Sequence, residues 1–154
     1  KSSRKMGKYW FDNYKKCRET LPEMVEVLDQ VGNDITMENL DIITTIGDIF
    51  RFEDRWYLVN KKMISEIIDV FNRAWTKPIL YSNKFENKNQ YFIHTDLHLD
   101  NIVLTSDSKL KLIDPDAFSI EPNIYQHTYR YHTTQDELMH SLHKYFSKVQ
   151  YEEK

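Results

Sequence analysis

The stretch that most constrains this chain is 91–118, Tyr-Phe-Ile-His-Thr-Asp-Leu-His-Leu-Asp-Asn-Ile-Val-Leu-Thr-Ser-Asp-Ser-Lys-Leu-Lys-Leu-Ile-Asp-Pro-Asp-Ala-Phe. Two apolar runs, Ile102 to Leu104 and Leu110 to Ile113, flank the polar turn Ser106-Asp107-Ser108-Lys109, and that pattern predicts a β-hairpin. Antiparallel pairing returns the chain to where it started. The polar groups on the incoming limb (His94, Asp96, Asn101) and on the outgoing limb (Asp114, Asp116) are therefore expected to converge. Carboxylates, an amide and imidazoles gathered at a strand mouth suit a metal ion, a proton transfer, or both.

Spacing divides the possibilities. Asp96 and Asn101 form D-x-x-x-x-N behind His94, and Asp114 follows Asn101 by 13 residues. This resembles the catalytic loop and metal-binding segment of the protein-kinase-like phosphotransferases. The version here, His-Thr-Asp-Leu-His-Leu-Asp-Asn followed by Leu-Ile-Asp-Pro-Asp-Ala-Phe-Ser-Ile-Glu-Pro, looks most like the aminoglycoside and choline kinase branch. Its Ile-Asp-Pro with a later Glu-Pro is similar to the streptomycin-type phosphotransferases. The Arg after the His and the Phe-Gly after the second Asp, frequent in protein kinases, are both absent. Asp100 stands where the family often has Gly. The likeness runs over about 35 residues, from Phe92 to Tyr125.

The resemblance implies a division of labour. Phosphoryl transfer is mostly positioning and charge neutralisation. Asp96 would take the proton of the acceptor hydroxyl, with His94 bracing the catalytic loop through its ring nitrogens. Asn101 and Asp114 would hold magnesium and the phosphates of ATP, with Asp116 as a further metal ligand. Magnesium is a hard ion that takes such oxygen donors. The acceptor implied is a small molecule bearing a hydroxyl, cationic if it is aminoglycoside- or choline-like and then met by acidic groups near Asp100 and Glu121. Two other outcomes remain open: a minimal Ser/Thr protein kinase acting on a protein substrate, and an inactive pseudokinase or fragment serving as a binding module. A different chemistry starts from the alternation of His94, Asp96, His98 and Asp100, which on an extended strand would share one face and suit zinc. That reading gives Asn101 and Ile-Asp-Pro-Asp no role.

The expected fold is α+β and kinase-like: a mainly helical C-terminal lobe around the catalytic hairpin, with the N-terminal lobe absent or strongly reduced. Only three glycines occur, Gly7, Gly32 and Gly47, too far apart for a phosphate-covering loop. Residues 1–154 read as one domain, in which 1–60 is a reduced N-terminal lobe or a helical insertion and 91–118 is the catalytic and metal-binding segment. Trp10, Tyr14, Cys17 and Leu21 fall at helical spacing over residues 5–19. Thr20-Leu21-Pro22-Glu23 reads as a second helix start, running through Met24, Val25 and Leu28 to a stop at Gly32-Asn33. Residues 35–46 fit a short helix or a strand equally well. Ile49 to Phe52 and Trp56 to Val59 predict a second hairpin, residues 61–76 a helix ending before Pro78, and residues 82–90 a loop. Ile120 to His132 reads as an irregular, aromatic and basic connection beside the site. Thr134-Gln135-Asp136-Glu137 is a capping box opening a last helix to about Tyr151, with His140 and His143 on its surface.

Charge and composition exclude other classes. The net charge of −3 is the sum of a basic start, with seven Lys or Arg against one Asp in residues 1–18, and an acidic remainder. Such a run is expected to be a solvated helix face; nothing points to specific nucleic-acid binding. No apolar run is long enough to span a bilayer, and the basic start leads into Tyr-Trp-Phe-Asp-Asn-Tyr rather than a signal-peptide core. The single Cys17 excludes an internal disulfide and suits a reducing compartment, so the expectation is a cytoplasmic protein.

Overall fold

The computed structural model describes residues 10–76, 79–83, 88–121 and 128–153, with the side chains of 75–92, 120–129 and 150–153 left aside. Helices and strands are mixed in one chain, as an α+β fold requires. The hairpin at 102–112 lies at its centre: β6 (Ile102–Thr105) pairs antiparallel with β7 (Leu110–Leu112) in the register Ile102 to Leu112 and Leu104 to Leu110. All four β6 residues are buried, so both faces of that strand are covered. The turn between the strands places Ser108 at φ 64°, and the Thr105 hydroxyl accepts from the Lys109 amide at 3.3 Å.

The layers around the hairpin follow from apolar spacing. Helix α1 (Trp10–Thr20) buries Trp10, Tyr14 and Cys17, which are four and three residues apart and share one face. Trp10 and Tyr14 stack with ring centroids 4.8 Å apart, and each polar tip is satisfied: Trp10 Nε1 donates to the Phe118 carbonyl at 2.7 Å and the Tyr14 hydroxyl to the Val25 carbonyl at 2.6 Å. Helix α3 (Lys61–Thr76) buries Met63, Ile67, Val70, Phe71 and Ala74 against the same core as Ile102, Leu104, Leu110 and Leu112. Arg73 of α3 makes two parallel bonds to Glu23, at 2.8 and 2.9 Å, and donates to the Thr20 carbonyl at 2.9 Å. That bidentate geometry pins α3 to the end of α1.

Among the described residues three sheets complete the frame. In the first, β3 (Ile42–Thr45) pairs with the outer side of β6, giving the order β3-β6-β7. The second joins β4 (Ile79–Asn83), β5 (Lys88–His94) and β8 (Phe118–Glu121), so β5 delivers His94 directly to the start of the D-x-x-x-x-N segment. The third is a two-stranded ribbon of β1 (Val27–Val31) and β2 (Asp34–Met37), joined by Gly32-Asn33. Gly32 sits at φ 62°, in keeping with a type II′ turn, where the first central residue has positive φ.

Several local expectations are overturned. The helix expected to open at Thr20 and run through Met24, Val25 and Leu28 is instead a turn followed by β1, and Gly32-Asn33 turns a hairpin instead of stopping a helix. The hairpin expected over 49–59 is helical: α2 (Ile46–Arg51), capped by the Thr45 hydroxyl accepting from the Asp48 amide at 3.0 Å, then a 3-10 segment at Glu53–Leu58. Ile46, Ile49 and Phe50 are three and four residues apart and all buried, which is why the helix wins there. The expected loop at 82–90 is occupied by β4 and β5, apart from residues 84–87, which lie outside the described residues. The irregular span 120–132 gives way to β8 and to α4 (Thr128–Glu153); residues 122–127, with Tyr125 and His127, lie outside the described residues, as does the basic run 1–9. Because α4 begins at Thr128, Thr134 is inside a helix and caps nothing. No described helix is long and apolar enough to cross a membrane.

Candidate active site

The hairpin brings its two limbs together as expected, through the backbone. The Ile113 amide donates to the Asn101 carbonyl at 2.9 Å, so the residues just before Asp114 lie against the end of the D-x-x-x-x-N segment. His94 is buried and bridges the same two limbs. Its Nδ1 accepts from the Asp96 amide at 3.0 Å, and its Nε2 faces the Ile113 carbonyl at 3.3 Å, the arrangement of a neutral ring protonated on Nε2. Its ring also meets the edge of Phe118 at 4.9 Å. His94 therefore braces the site and does not face solvent.

Asn101 is the second brace. Its side-chain Nδ2 donates to the Asp96 carbonyl at 2.8 Å, closing the loop over five residues. With the amide nitrogen so engaged, Oδ1 is the end left to act as an acceptor. The Asp96 carboxylate is partly exposed and faces two nitrogens at 3.5 Å, His98 Nε2 on one oxygen and Arg130 Nε on the other. Both approaches are too long for strong charge-assisted bonds, so the carboxylate is oriented without being consumed.

Asp114 has φ 64° and ψ 58°, a left-handed conformation that costs a residue with a side chain about 1 kcal/mol. Pro115 at the start of the following 3-10 turn fixes the chain on the far side. Asn101, Asp114 and Asp116 line a single cleft of about 610 Å³ whose other wall is apolar, with Ile35, Met37 and Ile42 contributed by the β1–β2 ribbon and β3. Glu38 also borders it but is paired with Lys111 at 3.1 Å.

A second cleft, of about 540 Å³, lies on the other side of the loop and is bordered by His98, Leu99 and Asp100. Asp100 does not join the Asp96 carboxylate. Its Oδ1 accepts from Arg51 at 2.7 Å and from the Thr45 hydroxyl at 3.4 Å, both on the α2 side. Hence His94, Asp96, His98 and Asp100 do not share one face. Among the described residues no three His, Cys, Asp or Glu side chains gather as a metal site, so the zinc alternative is not what the alternation builds. The Glu121 side chain lies outside the described side chains.

Two supporting residues could not be recognised from sequence. The Thr134 hydroxyl, from within α4, donates to the Leu97 carbonyl at 2.8 Å, and the Tyr131 hydroxyl donates to the His94 carbonyl at 3.1 Å. Both are buried, and burial pushes the Tyr131 phenol far above its ordinary range, so it stays a donor at any working pH. The loop is thus held from below by α4 and from its own limbs by His94 and Asn101. No family model, no curated protein and no solved structure matches the chain.

Proposed function

We propose that this protein is a kinase-like phosphotransferase that moves the γ-phosphate of ATP, in the presence of magnesium, to a hydroxyl of a small molecule. One observation carries the reading. Asn101 and Asp114 open into the same cleft, while Asn101 also fixes the peptide of Asp96 at its neighbouring end. A donor-binding side and a proton-accepting group are thereby coupled through one amide side chain.

The donor set fits the ion. An amide oxygen and carboxylates are hard ligands, and magnesium takes one or two carboxylates plus water and phosphate oxygens rather than a full protein cage. Asn101 and Asp114 would hold it, with Asp116 beside them, and the ion would neutralise the phosphate charge that these carboxylates by themselves repel. Binding of the nucleotide should therefore depend strictly on magnesium. The apolar wall of Ile35, Met37 and Ile42 offers a surface for the flat base.

In the transfer, the acceptor oxygen bonds the γ-phosphorus as the bond to the bridging oxygen breaks. The departing ADP keeps that electron pair, and the acceptor proton passes to Asp96. His94 contributes by holding the Asp96 amide, so it acts on the position of the base and not on the proton. The strained backbone at Asp114 agrees with a functional position, since such conformations persist where the surroundings impose them.

Isothermal titration with ATP, with and without magnesium, tests this on the chain and on Asp114→Asn. Binding that requires magnesium and is lost in the variant supports the proposal. Binding indifferent to magnesium, or no binding by the unmodified chain, overturns it.

A further inference from the structure

From Glu19 to Phe50 the chain carries eight carboxylates and no Lys or Arg. Tertiary contacts neutralise four of them: Glu23 meets Arg73, Glu26 meets Arg18, Glu38 meets Lys111, and Asp48 meets Arg51 and Arg55. Glu19 lies with Asp12, Lys15 and Lys16 on an exposed stripe of α1 where the two signs balance. Asp29, Asp34 and Asp41 make no ion pair among the described residues. Two of these three, Asp29 and Asp34, stand on the β1–β2 ribbon.

The ribbon also leaves backbone groups unpaired. The chain entering β1 is tied on its far side to β7: the Val25 amide donates to the Leu112 carbonyl at 3.0 Å, and the Leu112 amide to the Glu23 carbonyl at 2.8 Å. Among the described residues β2 has no neighbour on its outer side. The Glu38 amide donates back to the Glu26 carbonyl at 2.9 Å, so by alternation the amides and carbonyls of Ile35 and Met37 point away from β1. The devices that blunt such an edge are missing, for β2 carries neither Lys nor Pro and the bulge of the ribbon lies in β1.

The register sorts the side chains along that edge. Val31 pairs with Asp34, so Asp29, Val31 and Asp34 share one exposed face. Ile35 and Met37 share the other face, and Met37 is half exposed. A strand added beside β2 therefore sets its own alternate residues against carboxylates on one face and against apolar side chains on the other.

We propose that the open edge of β2 is a docking edge for an extended segment of a partner protein in which basic residues alternate with apolar ones. The backbone of Ile35 and Met37 supplies the hydrogen bonds, and Asp29 and Asp34 select the charge. A second copy of this chain does not fit. Two β2 strands paired about a two-fold axis bring Asp29 and Asp34 of both copies onto one face, where like charges repel. The proposal does not rest on the phosphotransferase reading.

The test uses three acetylated octapeptides, alternating Lys and Val, Glu and Val, or Lys and Ser. Each is titrated into the protein without nucleotide while backbone amide shifts and amide hydrogen exchange are followed by NMR. The expected result is a saturable response to the Lys–Val peptide, with the Ile35 and Met37 amides exchanging fast in the free protein and protected in the complex. The Lys–Ser peptide should bind more weakly and the Glu–Val peptide not at all. Reversing both charges, Asp29→Lys with Asp34→Lys, should weaken the Lys–Val peptide about tenfold. Both side chains are exposed, and retained amide dispersion shows that the variant folds. No saturable response, binding without protection of Ile35 and Met37, an equal response to the Glu–Val peptide, or an unchanged affinity in the double variant overturns the proposal. Protection that grows with the protein's own concentration, without peptide, makes a second copy the occupant and overturns it too.

Discussion

Residues 98–101 separate two clefts of similar size and different character. On one side Asn101, Asp114 and Asp116 offer oxygen atoms beneath an apolar wall. On the other, both signs of charge are interleaved, with Arg51, Arg130 and Lys144 beside Asp100 and Glu137. The difference teaches that charge in this site is sorted by the face of one short turn: neighbours in sequence, Asp100 and Asn101, serve opposite sides. One oxygen of the Asp100 carboxylate is already held by the Arg51 guanidinium at 2.7 Å.

Four changes test that division. The largest effect is expected for Asp114→Asn, which keeps a residue that tolerates the left-handed backbone but removes the charge. Magnesium-dependent ATP affinity should fall by about 100-fold by calorimetry. An unchanged affinity would remove Asp114 from the donor side. Thr134→Val, nearly the same shape, deprives the buried Leu97 carbonyl of its donor and should cost about 2 kcal/mol in urea denaturation. Because α4 holds the loop that carries Asn101, ATP affinity should then weaken as well, and Thr134→Ser should restore it.

A smaller, one-sided effect is expected at Gly47. A Cβ there would lie 2.1 Å from Asp100 Oδ1, so Gly47→Ala must move that carboxylate away from Arg51. The pair is partly exposed, and its loss should cost about 1 kcal/mol by thermal denaturation, leaving ATP affinity unchanged. Arg130→Gln should be the mildest for stability, within about 0.5 kcal/mol, since its contact with Asp96 is long and exposed. A larger loss of stability there would make Arg130 a brace of the loop through Asp96.

The two short hairpins show how much of the fold was legible. That of β6 and β7 could be read because two apolar runs and a polar turn leave one arrangement that buries both strands. The β1–β2 ribbon could not. Met24, Val25 and Leu28 fit a helical stripe as well as a strand, and Gly32-Asn33 ends a helix as readily as it turns a ribbon. Its strands are half exposed, with Leu28, Val31 and Met37 facing outward, so no alternation marks them. The span 49–59 failed differently: β-branched and aromatic residues suggested strands, but burial at three- and four-residue spacing and the Thr45 cap favour helix. At Thr134 a valid local cap signal was overridden, because the helix begins upstream and the hydroxyl has a buried carbonyl to satisfy.

The sequence by itself determined the central hairpin and the order of His94, Asp96, Asn101 and Asp114 along it, for these depend on local periodicity and on a turn that can close in one way. Tertiary structure alone decided which cleft each group faces. Arg51, Arg130, Thr134 and Lys144 come from helices 30 to 50 residues away from the loop they surround. No local pattern encodes their meeting, because packing of α2 and α4 against a shared core, not the propensity of any segment, brings those charges and hydroxyls to the loop.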